Sequence, residues 1–171
     1  MIITILCVDK AWGIGKRNGL LFSLPKDMKF FRDTTLNHVV AMGENTLLSF
    51  PNSKPLKNRH QIVLSQDESH NYEGVENVHD FDEFLRLIAE HSNNGEDVYI
   101  IGGASVYRQT LPFVDKVLLT KVDAIGGAEL FFPNLDNDNY FELVEQSEDI
   151  EDNGYTIRFC TYKNKHPQKI R

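Results

Sequence analysis

Short, continuous apolar runs alternate along this chain with segments of helical spacing. Residues 2–8 form the first run, which is apolar or β-branched throughout and short enough to be a buried strand. An amphipathic helix is predicted by the i, i+3, i+4, i+7 spacing of Phe81, Phe84, Leu85 and Ile88. This alternation predicts an α/β fold of three layers, with a mostly parallel central sheet and helices packed on its faces.

The predicted elements follow one another without a linker or an internal repeat, so we expect a single domain over residues 1–171. Strands are predicted at residues 2–8, 38–42, 61–64, 75–78, 97–101 and 114–121. Helices are predicted at residues 25–36, 44–50 and 104–111, besides the one that begins near Phe81. Residues 141–146 and 155–162 are predicted to close the sheet as an antiparallel hairpin around Asn153-Gly154, and the polar tail is expected to fray after about residue 163.

Net charge limits the partners that this protein can have. The sequence has 18 Lys and Arg against 25 Asp and Glu, a formal net charge of -7, whereas binding to nucleic acid depends on a basic surface. The apolar run at residues 2–8 is too short for a membrane span and lacks the basic flank of a signal peptide. We therefore expect a cytoplasmic monomer with no nucleic-acid or membrane partner. Cys7 and Cys160 are expected to be buried, reduced thiols, and no metal site is predicted.

Asp27 is the first candidate for chemistry. It lies in the first turn of the helix that begins at Pro25 and shares a face with Leu24, Met28 and Phe31. A carboxylate in an apolar stripe is costly unless it is paired. Asp27 is therefore either a functional group in a cleft or an acid that simply favours the helix dipole.

Two further features admit two interpretations each, and a third has one. Gly102-Gly103 separates a strand from a helix, where open α/β sheets bind ligands and backbone N–H groups meet phosphate, but the pair is also compatible with a plain tight turn. Arg59 is either a clamp for a ligand carboxylate or a solvated surface charge. The glycine-rich segment 9–24 has the length and composition of a lid.

In their order along the chain, these motifs together resemble the dihydrofolate reductase family over essentially the whole sequence. The matching positions are Asp9, Trp12-Gly13-Ile14-Gly15, Asn18, Leu24-Pro25, Asp27, Phe30-Phe31, Thr34, Met42-Gly43, Thr46, Lys54-Pro55-Leu56, Arg59, Ile101-Gly102-Gly103, Val106-Tyr107, Leu119-Thr120, Asp123 and Phe131-Phe132-Pro133. The resemblance implies an NADPH-dependent oxidoreductase of one-carbon metabolism. Its reaction is hydride transfer to C6 of 7,8-dihydrofolate with protonation of N5, giving tetrahydrofolate.

The resemblance also implies which residues form the site. Asp27 is implied to bind N3 and the 2-amino group of the pteridine, with Thr120 supporting its carboxylate. The implied substrate site consists of Ile5, Cys7, Leu20, Asp27, Met28, Phe31, Phe50, Leu56, Arg59, Ile101 and Thr120, with Arg59 on the glutamate tail of the substrate. The implied cofactor site consists of Cys7, Ile14, Gly15, Asn18, Gly19, Gly43, Glu44, Asn45, Thr46, Leu64, Ser65, Gln66, Ile101, Gly102, Gly103, Ala104, Ser105, Val106, Tyr107 and Gln109, with Tyr107 beside the nicotinamide.

Several positions depart from the family pattern. Leu21-Phe22 replaces the usual Pro-Trp, and Glu44 replaces the Arg that usually follows Met-Gly near the 2′-phosphate of NADPH. Gln66 and Ser105, which usually help at these phosphates, are neutral. One hypothesis is that NADPH preference is weakened and NADH is used well, unless His79 or His60 compensates. The alternative is that Glu44 points into solvent and NADPH remains preferred.

Two other functions remain to be separated from this one. Another reductase of the same fold, such as the pyrimidine reductase of riboflavin synthesis, would not need Asp27, Phe31 and the Arg59 clamp. A nucleotide-binding homologue without activity would not be expected to retain Asp27.

Overall fold

One mixed sheet organises the computed structural model, which describes residues 1–16 and 19–171. Its strands, together with those of a small second sheet, are β1 (Ile2–Val8), β2 (Gly13–Gly15), β3 (Val39–Gly43), β4 (His60–Leu64), β5 (Glu76–Val78), β6 (Val98–Ile100), β7 (Lys116–Val122), β8 (Leu130–Phe131), β9 (Phe141–Gln146), β10 (Ile150–Asp152) and β11 (Tyr155–Asn164). The helices are α1 (Pro25–Thr35), α2 (Glu44–Leu48), α3 (Phe81–Asn93) and α4 (Ala104–Thr110). Short 3-10 turns lie at Pro51–Ser53, Leu111–Phe113 and Leu135–Asn137.

The strand order is β10-β11-β7-β1-β6-β3-β4-β5, and β9 pairs with β11 as well. The strands from β7 to β5 in this order run parallel, whereas β9, β10 and β11 are antiparallel to their neighbours. This confirms the predicted mostly parallel sheet with an antiparallel C-terminal part. Because β1, β3 and β6 are parallel, the residues that follow them meet at one edge of the sheet.

Apolar side chains cover both faces of the sheet, as the three-layer prediction requires. On one face Ile5 packs with Met42, and on the other Leu6 packs with Phe84 and Ile88 of α3. Burial of each such side chain contributes about 1.5–3 kcal/mol relative to its exposure. No helix in the described part of the chain is both long and apolar enough to cross a membrane.

The C-terminal hairpin differs from the prediction. The Asn153-Gly154 turn joins β11 to the three-residue strand β10 and not to β9, which pairs farther along the same edge of β11. Sequence periodicity missed β10 because a three-residue strand is too short to establish an alternation. The loop at residues 9–24 also contains structure, since β2 pairs with β8 in a small second sheet.

The segment after residue 163 is anchored, contrary to the expected fraying. Asn164 is buried, and its Nδ2 donates to the Val114 carbonyl oxygen at 2.9 Å. The Lys165 N–H donates to the carbonyl of Tyr140, and the Gln168 N–H donates to that of Pro112. Hydrogen bonds to distant backbone groups, which local polarity does not reveal, hold this segment.

We predict that Asn164→Ala lowers the free energy of unfolding by about 1–3 kcal/mol, because the Val114 carbonyl is left buried without this donor. Chemical denaturation measures the change. The matched control is Lys169→Ala in the same segment, whose exposed side chain predicts a change within about 0.5 kcal/mol. Equal stabilities for the two variants would contradict the anchoring role of Asn164.

Candidate active site

Asp27 and Thr120 meet where β1, β7 and α1 come together. Cys7 of β1 is the register partner of Thr120 on β7, and the start of α1 places Asp27 beside this pair. The Thr120 hydroxyl donates to Asp27 Oδ1 at 2.7 Å. The structure thus brings together the two residues that the resemblance implies to be catalytic.

Burial controls the ionisation of this group. Desolvation raises the pKa of Asp27 above its usual value, and the negative charge of Asp152 raises it further, while hydrogen bonds from Thr120 and Cys7 oppose the shift. Burial, with Asp27 nearby, also raises the pKa of the Cys7 thiol, which therefore stays protonated and able to donate to the carboxylate. Cys7 is half-buried, not fully buried as predicted, and is a free thiol, as is the buried Cys160.

Asp152 holds the helix that carries Asp27. Leu24, at the N-cap of α1, provides no side-chain hydrogen bond. Instead, both carboxylate oxygens of Asp152 accept from the Lys26 N–H at 3.1 Å, and one also accepts from the Asp27 N–H at 3.1 Å. The adjoining turn contributes a further bond, from Asn153 Nδ2 to the Ser23 carbonyl oxygen at 2.9 Å. The C-terminal hairpin therefore fixes the start of α1.

A second buried carboxylate, Asp9, organises the loops beside the cleft. Its Oδ1 accepts from the N–H groups of Ala11 and Gly13, and its Oδ2 accepts from the N–H of Gly126. A Cβ at Gly13 would lie 2.3 Å from the Ala128 Cβ, so only glycine fits there. The sequence motif contained Asp9 but gave no indication of this role, nor of the Asp152 cap.

An apolar cleft opens above Asp27. Its lining consists of Cys7, Val8, Asp9, Gly13, Ile14, Leu20, Leu21, Phe22, Leu24, Asp27 and Met28. Leu20 and Met28 are 76% and 54% exposed, so two apolar side chains face solvent. The other implied wall residues, Ile5, Phe31, Phe50, Leu56 and Ile101, belong to one adjoining hydrophobic cluster.

The Ile5 carbonyl already has one partner. The buried hydroxyl of Tyr107 donates to it at 2.9 Å, and burial raises the pKa of that hydroxyl, so the phenol remains a donor. The resemblance implies that this carbonyl also accepts from a ring amine, and a carbonyl oxygen has a second lone pair for this purpose.

Arg59 is held in place and is not a freely solvated charge. Its Nε donates to Thr35 Oγ1 at 3.2 Å, and its terminal nitrogens donate to the carbonyls of Lys57 and Arg32. Partial burial, with Arg32 nearby, lowers the pKa of Arg59 from its very high usual value. A guanidinium has five N–H donors, and these three bonds leave donors for a carboxylate.

Gly102 and Gly103 lie in the short connection between β6 and α4, and the peptide bond between them is cis. Gly102 has φ +122, and a Cβ there would lie 3.3 Å from the Tyr107 ring and 3.4 Å from Thr46 Oγ1. The Gly43 N–H donates to the Gly102 carbonyl at 2.8 Å, which joins the ends of β3 and β6. Where the carboxyl ends of β3 and β6 meet, the surface therefore consists of backbone atoms without side chains. A dinucleotide needs such a surface for close approach.

Glu44 is the centre of a hydrogen-bond network. Its Oε2 accepts from the Tyr72 hydroxyl at 2.5 Å, lies 2.8 Å from His70 Nδ1 and accepts from the Ser65 hydroxyl at 3.1 Å. These contacts, led by the one with Tyr72, lower the pKa of Glu44. Its side chain is 20% exposed and held by these contacts, so the expectation that Glu44 points into solvent is wrong, while the NADPH preference paired with it stays a prediction.

The two histidines considered as compensating cations lie in different places. His79 Nδ1 lies 2.9 Å from the Ser65 carbonyl oxygen, beside the Glu44 network. His60 is the first residue of β4 and pairs with Glu76, so it lies at the other end of that strand from Leu64. His60 therefore cannot compensate for Glu44.

Within the described residues, the remaining implied cofactor residues lie in several different elements. Gly15 lies in β2 and Gly19 hydrogen-bonds with Lys16, whereas Asn18 lies outside the described residues. Gln109 Nε2 donates to Ser105 Oγ at 2.7 Å on α4. Among the others, Leu64, Ser65 and Val106 are buried, Thr46 and Ala104 are half-buried, and Asn45 and Gln66 are exposed.

Comparisons with known proteins agree on one family. The model of the family described as dihydrofolate reductase matches residues 1–164. Dihydrofolate reductase from Bacillus subtilis is 31% identical, with 99% of this chain and 98% of the relative covered, and that from Enterococcus faecium is 34% identical, with 93% and 94% covered. A solved dihydrofolate reductase from Enterococcus faecalis, complexed with NADP(H) and RAB-propyl, has a TM-score of 0.85 and 27% identity over 96% of each chain. The chain therefore belongs to the dihydrofolate reductase family.

Proposed function

We propose that this protein reduces 7,8-dihydrofolate to tetrahydrofolate. The observation that carries the proposal is the Asp27 carboxylate, which is half-buried at an apolar cleft and accepts a hydrogen bond from the Thr120 hydroxyl at 2.7 Å. Family membership supports the reaction, and the cleft supports the substrate class, since a flat heteroaromatic ring needs apolar walls and one polar anchor.

Among the described residues that line the cleft, Asp27 and Asp9 are the acidic ones, and Asp9 is occupied by three backbone N–H groups. Asp27 is therefore the group that binds the ring N–H and amino donors of the pteridine. A negative charge in this apolar setting favours the positive charge that develops as N5 gains a proton. We propose that water delivers this proton, because Asp27 is already committed to the opposite edge of the ring.

Bound NADPH supplies the hydride. The backbone surface at Gly43, Gly102 and Gly103 fits such a cofactor, because a Cβ at Gly102 would fill the space beside Thr46 and Tyr107. The implied site residues around this edge are those that we propose to hold it. The strand pair β2–β8 gives the loop above the cleft a defined shape, which lets it exclude water from the reacting ring.

Arg59 favours a substrate with a glutamate tail over the pyrimidine of riboflavin synthesis. Its bonds to Thr35, Lys57 and Arg32 fix the guanidinium while leaving donors for a carboxylate. A nucleotide-binding homologue without activity is disfavoured by the buried Asp27, because a charge in this position is costly and serves no purpose in nucleotide binding.

We predict that the purified protein oxidises NADPH only when dihydrofolate is added, and that Asp27→Asn lowers kcat/KM at neutral pH by at least about a hundredfold, as expected for an electrostatic group at the reacting ring. Loss of absorbance at 340 nm measures both. Asp33→Asn, an exposed change on the same helix, is the matched control and is expected to retain full activity. Absence of turnover with either nicotinamide cofactor would contradict the enzyme assignment.

Burial of Asp27 also links activity to stability. Because its pKa is raised above 3.8 in the folded state, folding is favoured by protonation of this group, and its stabilising contribution is lost as the pH rises through the folded-state pKa. Above that folded-state pKa, the ionised carboxylate is therefore less favourable to the fold than the protonated one.

We predict that Asp27→Asn raises the melting temperature at pH 7 by about 2 °C or more while lowering kcat/KM, because an amide does not carry the charge. The gain should disappear near pH 3, where wild-type Asp27 is protonated in both states. Asp33→Asn should show no gain, since Lys29 lowers the pKa of Asp33. A lower melting temperature for Asp27→Asn at pH 7 would show that burial of the charge is not the dominant cost.

We further propose that Glu44 weakens the preference for NADPH, so that NADH also supports turnover. A carboxylate near the 2′-phosphate costs about 1–4 kcal/mol, whereas the 2′-hydroxyl of NADH is a donor that an acidic side chain accepts. Tyr72 and Ser65 fix Glu44 at this edge, so its charge cannot simply move away. Asp67, which contacts His70 at 3.3 Å, adds a second negative charge.

We predict that Glu44→Gln raises the ratio of kcat/KM for NADPH to kcat/KM for NADH about tenfold, and that Glu44→Arg raises it more. Steady-state kinetics at low ionic strength measure the ratio, with Glu83→Gln on α3 as the remote control. The proposal for Glu44 is wrong if the ratio is the same in wild type and Glu44→Arg.

The expectations of a monomeric state and a cytoplasmic location stay part of this proposal. The acidic net charge of -7 supports the monomer, because like charges on two copies repel.

A further inference from the structure

Two histidines and a glutamate come together at the opposite end of the sheet from Asp27. His60 begins β4, Glu76 begins β5, and His91 lies in the last turn of α3. β4 and β5 are parallel neighbours, and α3 packs against both strands. The amino ends of the two strands and the carboxyl end of the helix thus place these side chains in one cluster, which the proposed reaction does not use.

The ligand atoms of this cluster converge on one oxygen. His60 Nε2 hydrogen-bonds with Glu76 Oε1, and His91 Nε2 lies 3.5 Å from the same oxygen. One ligand atom from each residue lies within 4.8 Å of the other two. Tetrahedral Zn²⁺, with bonds of about 2.0–2.2 Å, requires ligand atoms about 3.3–3.6 Å apart, so displacements of about 1 Å would complete the site.

Glu96 provides an independent observation that points to a metal. Its Oε1 lies 3.0 Å from His91 Nδ1, and its backbone N–H donates to the His91 carbonyl oxygen at 3.1 Å. This contact turns Nε2 of His91 toward Glu76. A carboxylate on the far nitrogen of a ligating histidine is the arrangement that fixes the tautomer and ring orientation in protein metal sites.

We propose that His60, Glu76 and His91 bind a divalent late transition-metal ion, with Zn²⁺ as the best match, and that Glu96 positions His91. Two imidazoles and one carboxylate favour such an ion over Ca²⁺ or Mg²⁺, which prefer oxygen ligands only. The side chains of His60 and Glu76 are 46% and 38% exposed, so an ion can enter from solvent and keep water as its fourth ligand. A bound ion ties β5, β4 and α3 together and therefore stabilises the fold without reaching the cleft.

Titration of tag-free protein with ZnCl₂ in a non-coordinating buffer tests this proposal. One ion is expected to bind in wild type, and His60→Gln, Glu76→Gln and His91→Gln are each expected to abolish that binding. Glu96→Gln should weaken binding about 10–100-fold, as for other groups that orient a metal ligand. His166→Gln, at an exposed histidine outside the cluster, is the matched control and should bind as wild type does.

Two further measurements separate a built site from adventitious binding. Co²⁺ should give the intense visible absorption of a tetrahedral site in wild type and not in His91→Gln. Zn²⁺ at a hundred times its dissociation constant should raise the melting temperature by about 5–10 °C in wild type only. The proposal is overturned if the three ligand variants bind Zn²⁺ as wild type does, or if Glu96→Gln and His166→Gln have the same affinity. Unfolding of each variant without metal verifies that it is folded.

Discussion

The need to bury one carboxylate and keep it bonded constrains much of this structure. Asp27 is accommodated because three separate elements meet around it: β7 supplies the Thr120 hydroxyl, β1 supplies the Cys7 thiol, and β10 fixes its backbone through Asp152. Each of these contributions comes from a different part of the chain. The cleft therefore depends on the complete sheet and not on the helix alone.

A second charged group, Glu44, is likewise held by side chains from other parts of the chain. Glu44 is a negative group where the resemblance implies an Arg, and one of its oxygens is contacted by Tyr72, Ser65 and His70. All three contacts are made with Oε2, and the hydroxyls of Tyr72 and Ser65 donate to it. The network thus fixes a negative group at the place where we propose that the two nicotinamide cofactors are distinguished.

Local patterns predicted the strands, the helices and the family motifs, because hydrophobic periodicity and glycine positions can be recognised from residues that are close together in the sequence. Asp27 and Gly102-Gly103 became candidates in this way, whereas Thr120 was implied only by the family resemblance. The Asp152 cap was missed because it joins residues 125 positions apart through a strand of three residues. The His60, Glu76 and His91 cluster was missed for a related reason: only strand order places these residues side by side. Contacts between residues that are far apart in the sequence, unlike hydrophobic periodicity, cannot be recognised from a short stretch of sequence.

The position of β11 has a consequence for how the protein is made. This strand lies between β7 and the pair β9 and β10, and its turn carries Asp152 to the start of α1. Residues 1–122, which include Asp27 and Thr120, leave the ribosome long before β11 does. A nascent chain therefore holds its reactive carboxylate on an uncapped helix beside an open sheet edge until the last strand emerges. Translation order thus makes the completion of the sheet the step at which the site first acquires its shape.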